Sequence, residues 1–99
     1  MVSQPTKHVH LPDDLITYGR SPEFDQDTLP AALQKKHTTK EGSWALIHVM
    51  QGRLLYRILE PFSETVLESG KPGLIQPRQP HEVEIIGPVR MFVEFYSKP

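Results

Sequence analysis

Short apolar runs separated by turn residues set the pattern of this chain. From Ser43, the text SWALIHVMQ reads as a nine-residue strand. Ala45, Ile47 and Val49 form an apolar row on one of its faces, while Trp44, Leu46, His48 and Met50 share the other. Gly52 is expected to turn the chain into RLLYRILE, a second strand rich in branched and aromatic residues, which Pro61 ends. TVLE at 65–68, LIQ at 74–76, HEVEII at 81–86 and VRMFVEFY at 89–96 continue the pattern, separated by SGKPG, PRQP and the GP pair at 87–88. Upstream, a short strand is expected near Ile16–Tyr18, followed by an ordered loop. LPAALQKK, over 29–36, is the one helix-compatible stretch. Alone it would make a marginal helix, and the strand-rich text that follows favours a strand there.

Ten prolines and six glycines leave gaps too short for most helices and suited to strands. Seven or eight short strands at this spacing predict an all-β, antiparallel sandwich or barrel with little or no helix. The chain's 99 residues support one domain over 11–99, behind a polar, flexible N-terminal tail at 1–10. A chain of this size buries roughly 60–65% of its unfolded surface. Val83, Ile85, Ile47, Val49, Leu54 and Phe95 are the expected core.

Charge and cysteine content remove whole classes of function. Eleven Lys and Arg against twelve Asp and Glu give a net charge of −1, which leaves no electrostatic case for nucleic acid or an anionic membrane. Without cysteine there are no disulfides, thiolate metal sites or thiol nucleophiles. Neither GxGxxG nor GxxxxGK[ST] is present, so no residue is assigned to binding an organic cofactor. The N-terminal text MVSQPTKHVH has no apolar signal-peptide core, and no apolar run spans a bilayer; a cytoplasmic protein is the expectation.

Five histidines are the candidates for chemistry. His8 and His10 lie in the polar tail and read as solvated. His48 shares its face with Trp44, Leu46 and Met50, which points to a second packing surface or an oligomer contact, and a homodimer through a sheet face or edge is expected. His37 ends one segment just before the TTKEG turn. His81 follows Pro77 and Pro80 and opens an inward row with Val83 and Ile85. Singly, such histidines are satisfied core residues; together they would bind a divalent metal, with Glu94 as the carboxylate. Glu94 interrupts an apolar strand, where a buried carboxylate demands a partner. Its alternative placement is an outward face with Phe92 and Tyr96. The ligand set would be His37, His81 and Glu94, and the metal zinc first, with Fe, Mn or Ni suiting the same ligands. Tyr56 and Arg57 lie in one strand, one of them facing inward to line the cavity. Glu82 and Glu84 alternate with Val83 and Ile85 and point together to solvent. No serine has a triad-like setting, and no catalytic residue is assigned.

These segments carry a resemblance. VMQGRLLYRI resembles the strand–Gly–strand passage of the first cupin motif, and GLIQPRQPHEVE resembles the second, with Gly73, Pro77 and His81 in its places and the Pro-to-His spacing one residue short. More specifically, TYGRSPEF (17–24), TLPAAL (28–33), HTTKEGSW (37–44), QGRLLYRILEP (51–61), GLIQPRQPHEVE (73–84) and VRMFVEFY (89–96) are similar, in order, to the small cupin-like domain of the tellurite-resistance protein B family. The resemblance implies a cupin-type jelly-roll barrel. That domain is fused to a methyltransferase in some bacteria and encoded alone in others. The chain departs from ordinary cupins in its first motif, where the ligand Glu falls at Ala45 and the HxH pair reduces to His37, followed by Thr38 and Thr39. The resemblance therefore carries over His37 and His81, with Glu94 as the replacement. Three ligands leave positions open, as at catalytic zinc sites. Thiolate reduction or methyl transfer of tellurite is beyond a chain with no cysteine and no nucleotide fold, so a link to tellurite would be indirect.

The expected function is a small metal-binding cupin-like protein that takes a small anion or metabolite in an oxyanion or metal stress response. The alternatives are a mononuclear-metal oxygenase or isomerase, and a metal-free interaction module docking through the Trp44 face.

Overall fold

The computed structural model describes residues 11–36 and 38–99. The 1–10 tail, with His8 and His10, and His37 lie outside the described residues. Six strands and one short 3₁₀ helix follow in order: β1 (Ile16–Arg20), β2 (Phe24–Asp25), η1 (Ala31–Gln34), β3 (Trp44–Leu59), β4 (Phe62–Leu67), β5 (Gly73–Ile75) and β6 (His81–Ser97). They form one antiparallel sheet in the order β1-β6-β3-β4, with β2 also on β6 and β5 also on β3. No α-helix occurs among the described residues.

Two expected turns are bends instead. SWALIHVMQ and RLLYRILE join into the 16-residue β3, and HEVEII and VRMFVEFY into the 17-residue β6. Their pairing runs from Trp44↔Tyr96 to Ile58↔His81, with register slips between Val49 and Gln51 and between Gly52 and Leu54. Gly52 adopts φ +74°, and a Cβ there would lie 2.0 Å from the Pro88 carbonyl oxygen. Only glycine satisfies both demands. The two glycine-containing kinks thus face each other and bend both strands together, the device by which strands turn a corner between layers.

Bending lays one half of the sheet over the other. Ala45, Ile47, Val49, Val89, Met91 and Val93 from one half meet Leu54, Tyr56, Leu67 and Val83 from the other in a single buried cluster, with Ile85 and Phe95 packed partly buried against it. Gly73 packs tightly beneath Leu67 and Tyr56, and a Cβ there would sit 2.7 Å from Leu67 Cδ1.

Residues 29–36 depart from the strand expectation. Asp25 Oδ1 accepts hydrogen bonds from the Asp27 and Thr28 amides at 2.8 and 2.9 Å, closing an Asx turn. The Asp27 amide in particular holds the Asp25 carboxyl below its usual range. Leu29 then buries itself in the core, and Pro30, with φ −58°, starts η1 through helix-forming Ala-Ala-Leu-Gln. The Ser21 hydroxyl accepts from the Val93 amide at 2.9 Å and the Gln26 side-chain oxygen from the Val89 amide at 3.1 Å, so this loop satisfies β6 beside the short β2.

Candidate functional site

A chamber of about 260 Å³ opens between the two halves of the sheet. Its walls come from β3 (Ala45, Ile47), β5 (Ile75), β6 (His81, Val83, Met91, Val93, Phe95), Phe24 of β2, Leu33 of η1, Ser21 and Thr39. His81 is 2% exposed and is the titratable side chain among these described walls. Its Nδ1 lies 2.8 Å from the Gln79 carbonyl oxygen. A carbonyl only accepts, so Nδ1 carries the proton of this bond.

The loops around this imidazole are stitched together. The Thr39 hydroxyl is shared between the Ser43 and Gln76 carbonyls, at 3.3 and 3.2 Å, and the Thr39 carbonyl accepts from the Arg78 amide at 2.9 Å. Arg78 holds φ +61°, a conformation rare outside glycine and asparagine, which aims the chain into Pro80 and His81. The Tyr56 ring meets the His81 ring edge-on, with centroids 6.2 Å apart. Its hydroxyl donates to the Leu74 carbonyl at 2.6 Å, and burial pushes its pKa up.

Tyr56 thus faces inward as expected, although it lines a neighbouring cleft between β4 and β5 rather than the chamber. Arg57, expected beside it, does not line the cavity. It lies on the outer face, where its guanidinium bonds Glu82 and reaches Glu64 and Glu84 at 2.8 Å each. Alternation along β3 sends neighbouring residues to opposite faces. The three carboxylates hold the Arg57 pKa above its ordinary value, Glu84 foremost. Glu82 and Glu84 do point outward together, gathered around this arginine.

Glu94 requires the largest correction. It stands on the face of β6 opposite Val93 and Phe95, and so opposite the chamber that His81 lines. There it accepts from the Tyr96 hydroxyl at 2.6 Å and sits 3.0 Å from His48 Nε2. Tyr96 chiefly, then His48 and Arg20, hold its carboxyl below the ordinary range. Burial first, then Glu94, pushes the Tyr96 hydroxyl up to about 12. His48 stacks on Phe92 with centroids 4.8 Å apart, and Arg20 caps the same ring at 4.4 Å. The outward alternative for Glu94, with Phe92 and Tyr96, describes its position. His48 lies on the face anticipated for it, with Trp44 and Leu46 half-buried and Met50 exposed.

Of the expected metal set, His81 alone is placed in the chamber, Glu94 is excluded by its face, and His37 lies outside the described residues. No group of three His, Cys, Asp or Glu side chains comes together among the described residues. Sequence reasoning missed Leu33, Phe24 and Thr39 as chamber walls. The signal available was TLPAAL, whose Pro followed by helix formers places Leu33 on a turn rather than a strand.

Comparison with known proteins agrees with this architecture. A crystallised protein from E. coli (strain K12) superposes with a TM-score of 0.85 over 93% of this chain and 99% of its own, at 20% identity, a likeness of fold alone. The crystal structure of TehB from Haemophilus influenzae superposes with a TM-score of 0.79 at 29% identity, over 87% of this chain and 32% of that protein. In sequence, the Haemophilus influenzae protein named as a probable S-adenosyl-L-methionine-dependent methyltransferase TehB is 28% identical over 94 residues. This chain spans about a third of that relative's length, 33%, with 89% of its own residues matched. The sequence pattern of the TehB-like domain matches residues 19–93. This chain belongs to the TehB-like domain family.

Proposed function

We propose that this TehB-like domain is a small-molecule-binding module whose ligand enters the chamber between the sheet halves and meets His81. The observation that supports this reading is the chamber of about 260 Å³ itself, whose described walls are mostly apolar and include the buried imidazole of His81. Concave, mostly apolar sites with a few placed polar groups are the usual form of small-molecule sites. In the same reading the bent sheet is a cupin-type jelly roll, with the motif GLIQPRQPHEVE delivering His81 to the interior. The domain then serves a partner catalyst. Support comes from the Haemophilus influenzae relative, named as a probable methyltransferase, of which this domain matches one third. Any part in a tellurite or oxyanion response would run through such a partner.

A resident metal is a poorer match to the described residues. The bond from His81 Nδ1–H to a backbone carbonyl is the support that metal-binding histidines carry. Yet a catalytic or structural zinc takes three or four protein ligands, and the described walls offer His81 alone. Further donors would have to come from outside the described residues.

The test is a fragment library titrated into isotope-labelled, untagged protein and followed by NMR. Shift changes clustered at the methyl groups of Ala45, Ile47, Val83 and Met91 are expected. Changes gathered on the outer face, or none across the library, would overturn the reading. Metal analysis by mass spectrometry on the same sample addresses the other one, where about one ion per chain would restore the metal centre.

A further inference from the structure

We infer that the chamber selects neutral, largely apolar molecules of about one substituted ring and rejects oxyanions; this rests on the binding reading above and specifies its ligand. Among the described walls three side chains are polar, and each spends hydrogen-bonding capacity on backbone. The Thr39 hydroxyl serves two carbonyls, and the Ser21 hydroxyl accepts from the Val93 amide and donates to the Pro22 carbonyl at 2.8 Å. His81 commits Nδ1–H to Gln79. No lysine or arginine lies among the described walls. An anion moved there from water would lose its hydration and meet no lysine or arginine among the described walls, a cost that buried ions escape only by pairing.

Charge is instead segregated to the opposite side of the sheet. Arg57 is clamped by Glu64, Glu82 and Glu84, and Arg20 lies over Phe92 close to Glu94. Both arginines stand on the outer face, each beside carboxylates, and neither turns a cation toward the interior. The volume sets the size. An apolar cavity of about 150 Å³ stays dry and takes benzene, so 260 Å³ has room for a ring with a short substituent.

The experiment compares two sets of probes on wild-type protein: toluene, indole and cyclohexanol against sodium tellurite, sulfate and phosphate. Melting temperature is read first. At ten times its dissociation constant a ligand confined to the folded state raises the melting temperature of a domain this size by about 5–10 °C. Site is then read by intermolecular NOEs from the toluene protons to the Ala45, Ile47 and Met91 side chains. The expected result is stabilisation with chamber NOEs for the neutral set and no chamber shift changes for the anions. Ala45→Leu, which fills the chamber from its wall, should abolish the toluene response. Should that variant fail to fold, the wild-type NOEs decide alone. Anions perturbing the chamber while neutral probes do not would overturn the ligand class and leave the pocket reading standing. Neutral probes giving NOEs only outside the chamber, or neither set binding, would overturn both.

Discussion

Replacing Gly52 by alanine tests the bend on which the chamber depends. Two costs arise at this position. The first is conformational: φ +74° is left-handed space, where a Cβ costs about 1–2 kcal/mol. The second is steric. The new Cβ would fall 2.0 Å from the Pro88 carbonyl oxygen, 3.0 Å from its carbon and 3.1 Å from the Val89 Cα, all backbone atoms. To restore van der Waals contact, β6 must retreat by about 1 Å from β3 at the kink, disturbing the Gly52↔Val89 pairing and the packing beneath it. Overpacking of this kind costs about 1–3 kcal/mol. The sum is about 2–5 kcal/mol, out of the 5–15 kcal/mol available to a small domain. Gly70 supplies the control: its φ is +83°, but nothing lies within 4 Å of its Cβ position. Gly70→Ala therefore bears the conformational cost alone. Urea unfolding of both variants separates the two contributions, and Gly52→Ala should lose about 1–3 kcal/mol more. If the two variants unfold at the same urea concentration, the facing kinks do not hold the halves together and the account of the bend is wrong.

Two further predictions concern the outer face. Arg57→Met leaves Glu64, Glu82 and Glu84 facing one another without their shared cation, so the variant should unfold at lower urea; because salt screens that repulsion, its deficit should narrow in about 1 M NaCl. A deficit unchanged by salt would point to lost packing of the arginine stem instead. Glu94→Gln removes a carboxylate whose folded pKa lies below its ordinary 4.5. A group so depressed stabilises the fold above its unfolded pKa, and that contribution drains away as pH falls through the folded value. Wild type should therefore exceed the variant in urea midpoint at pH 7, with the gap closing through the acid range below 4.5. A gap that is constant with pH would sink the ion-paired account of Glu94.

The strand content was legible because alternation survives locally in each segment. Ala45/Ile47/Val49 and His81/Val83/Ile85 are inward rows, and Ile47, Val49, Leu54 and Val83 are fully buried in the core while Ile85 and Phe95 are partly so. What could not be read locally was whether a glycine turns a strand or merely kinks it. That is settled by the facing strand, here by the Pro88 carbonyl occupying the space where Gly52 has no side chain. The 29–36 segment failed for a related reason. The Asx turn at Asp25 and the proline at 30 fix a chain direction that an eight-residue window of helix formers does not reveal.

The same distinction decides the site. If HEVEII and VRMFVEFY are separate strands, the face of Glu94 is independent of the face of His81, and a joint metal site is open to both. Within one continuous strand, parity links them. His81, Val83 and Ile85 point inward, as do Val89, Met91 and Val93, so the steps across Gly87–Pro88 are even in number and parity is preserved along β6. Glu94 is an odd number of residues from His81 and must then point outward, toward His48 and Tyr96. On β3 the opposite holds: from Val49 to Leu54 the step is odd, the extra residue is absorbed at the kink, and the inward row shifts register. This shift sends Tyr56 inward and Arg57 outward, whereas uninterrupted alternation from Ala45, Ile47 and Val49 would have buried the arginine. One kink that preserves parity and one that breaks it, facing each other, thereby place both candidate charged residues, Glu94 and Arg57, on the solvent side. The apolar character of the chamber follows from the count of residues between its bends as directly as from their hydropathy.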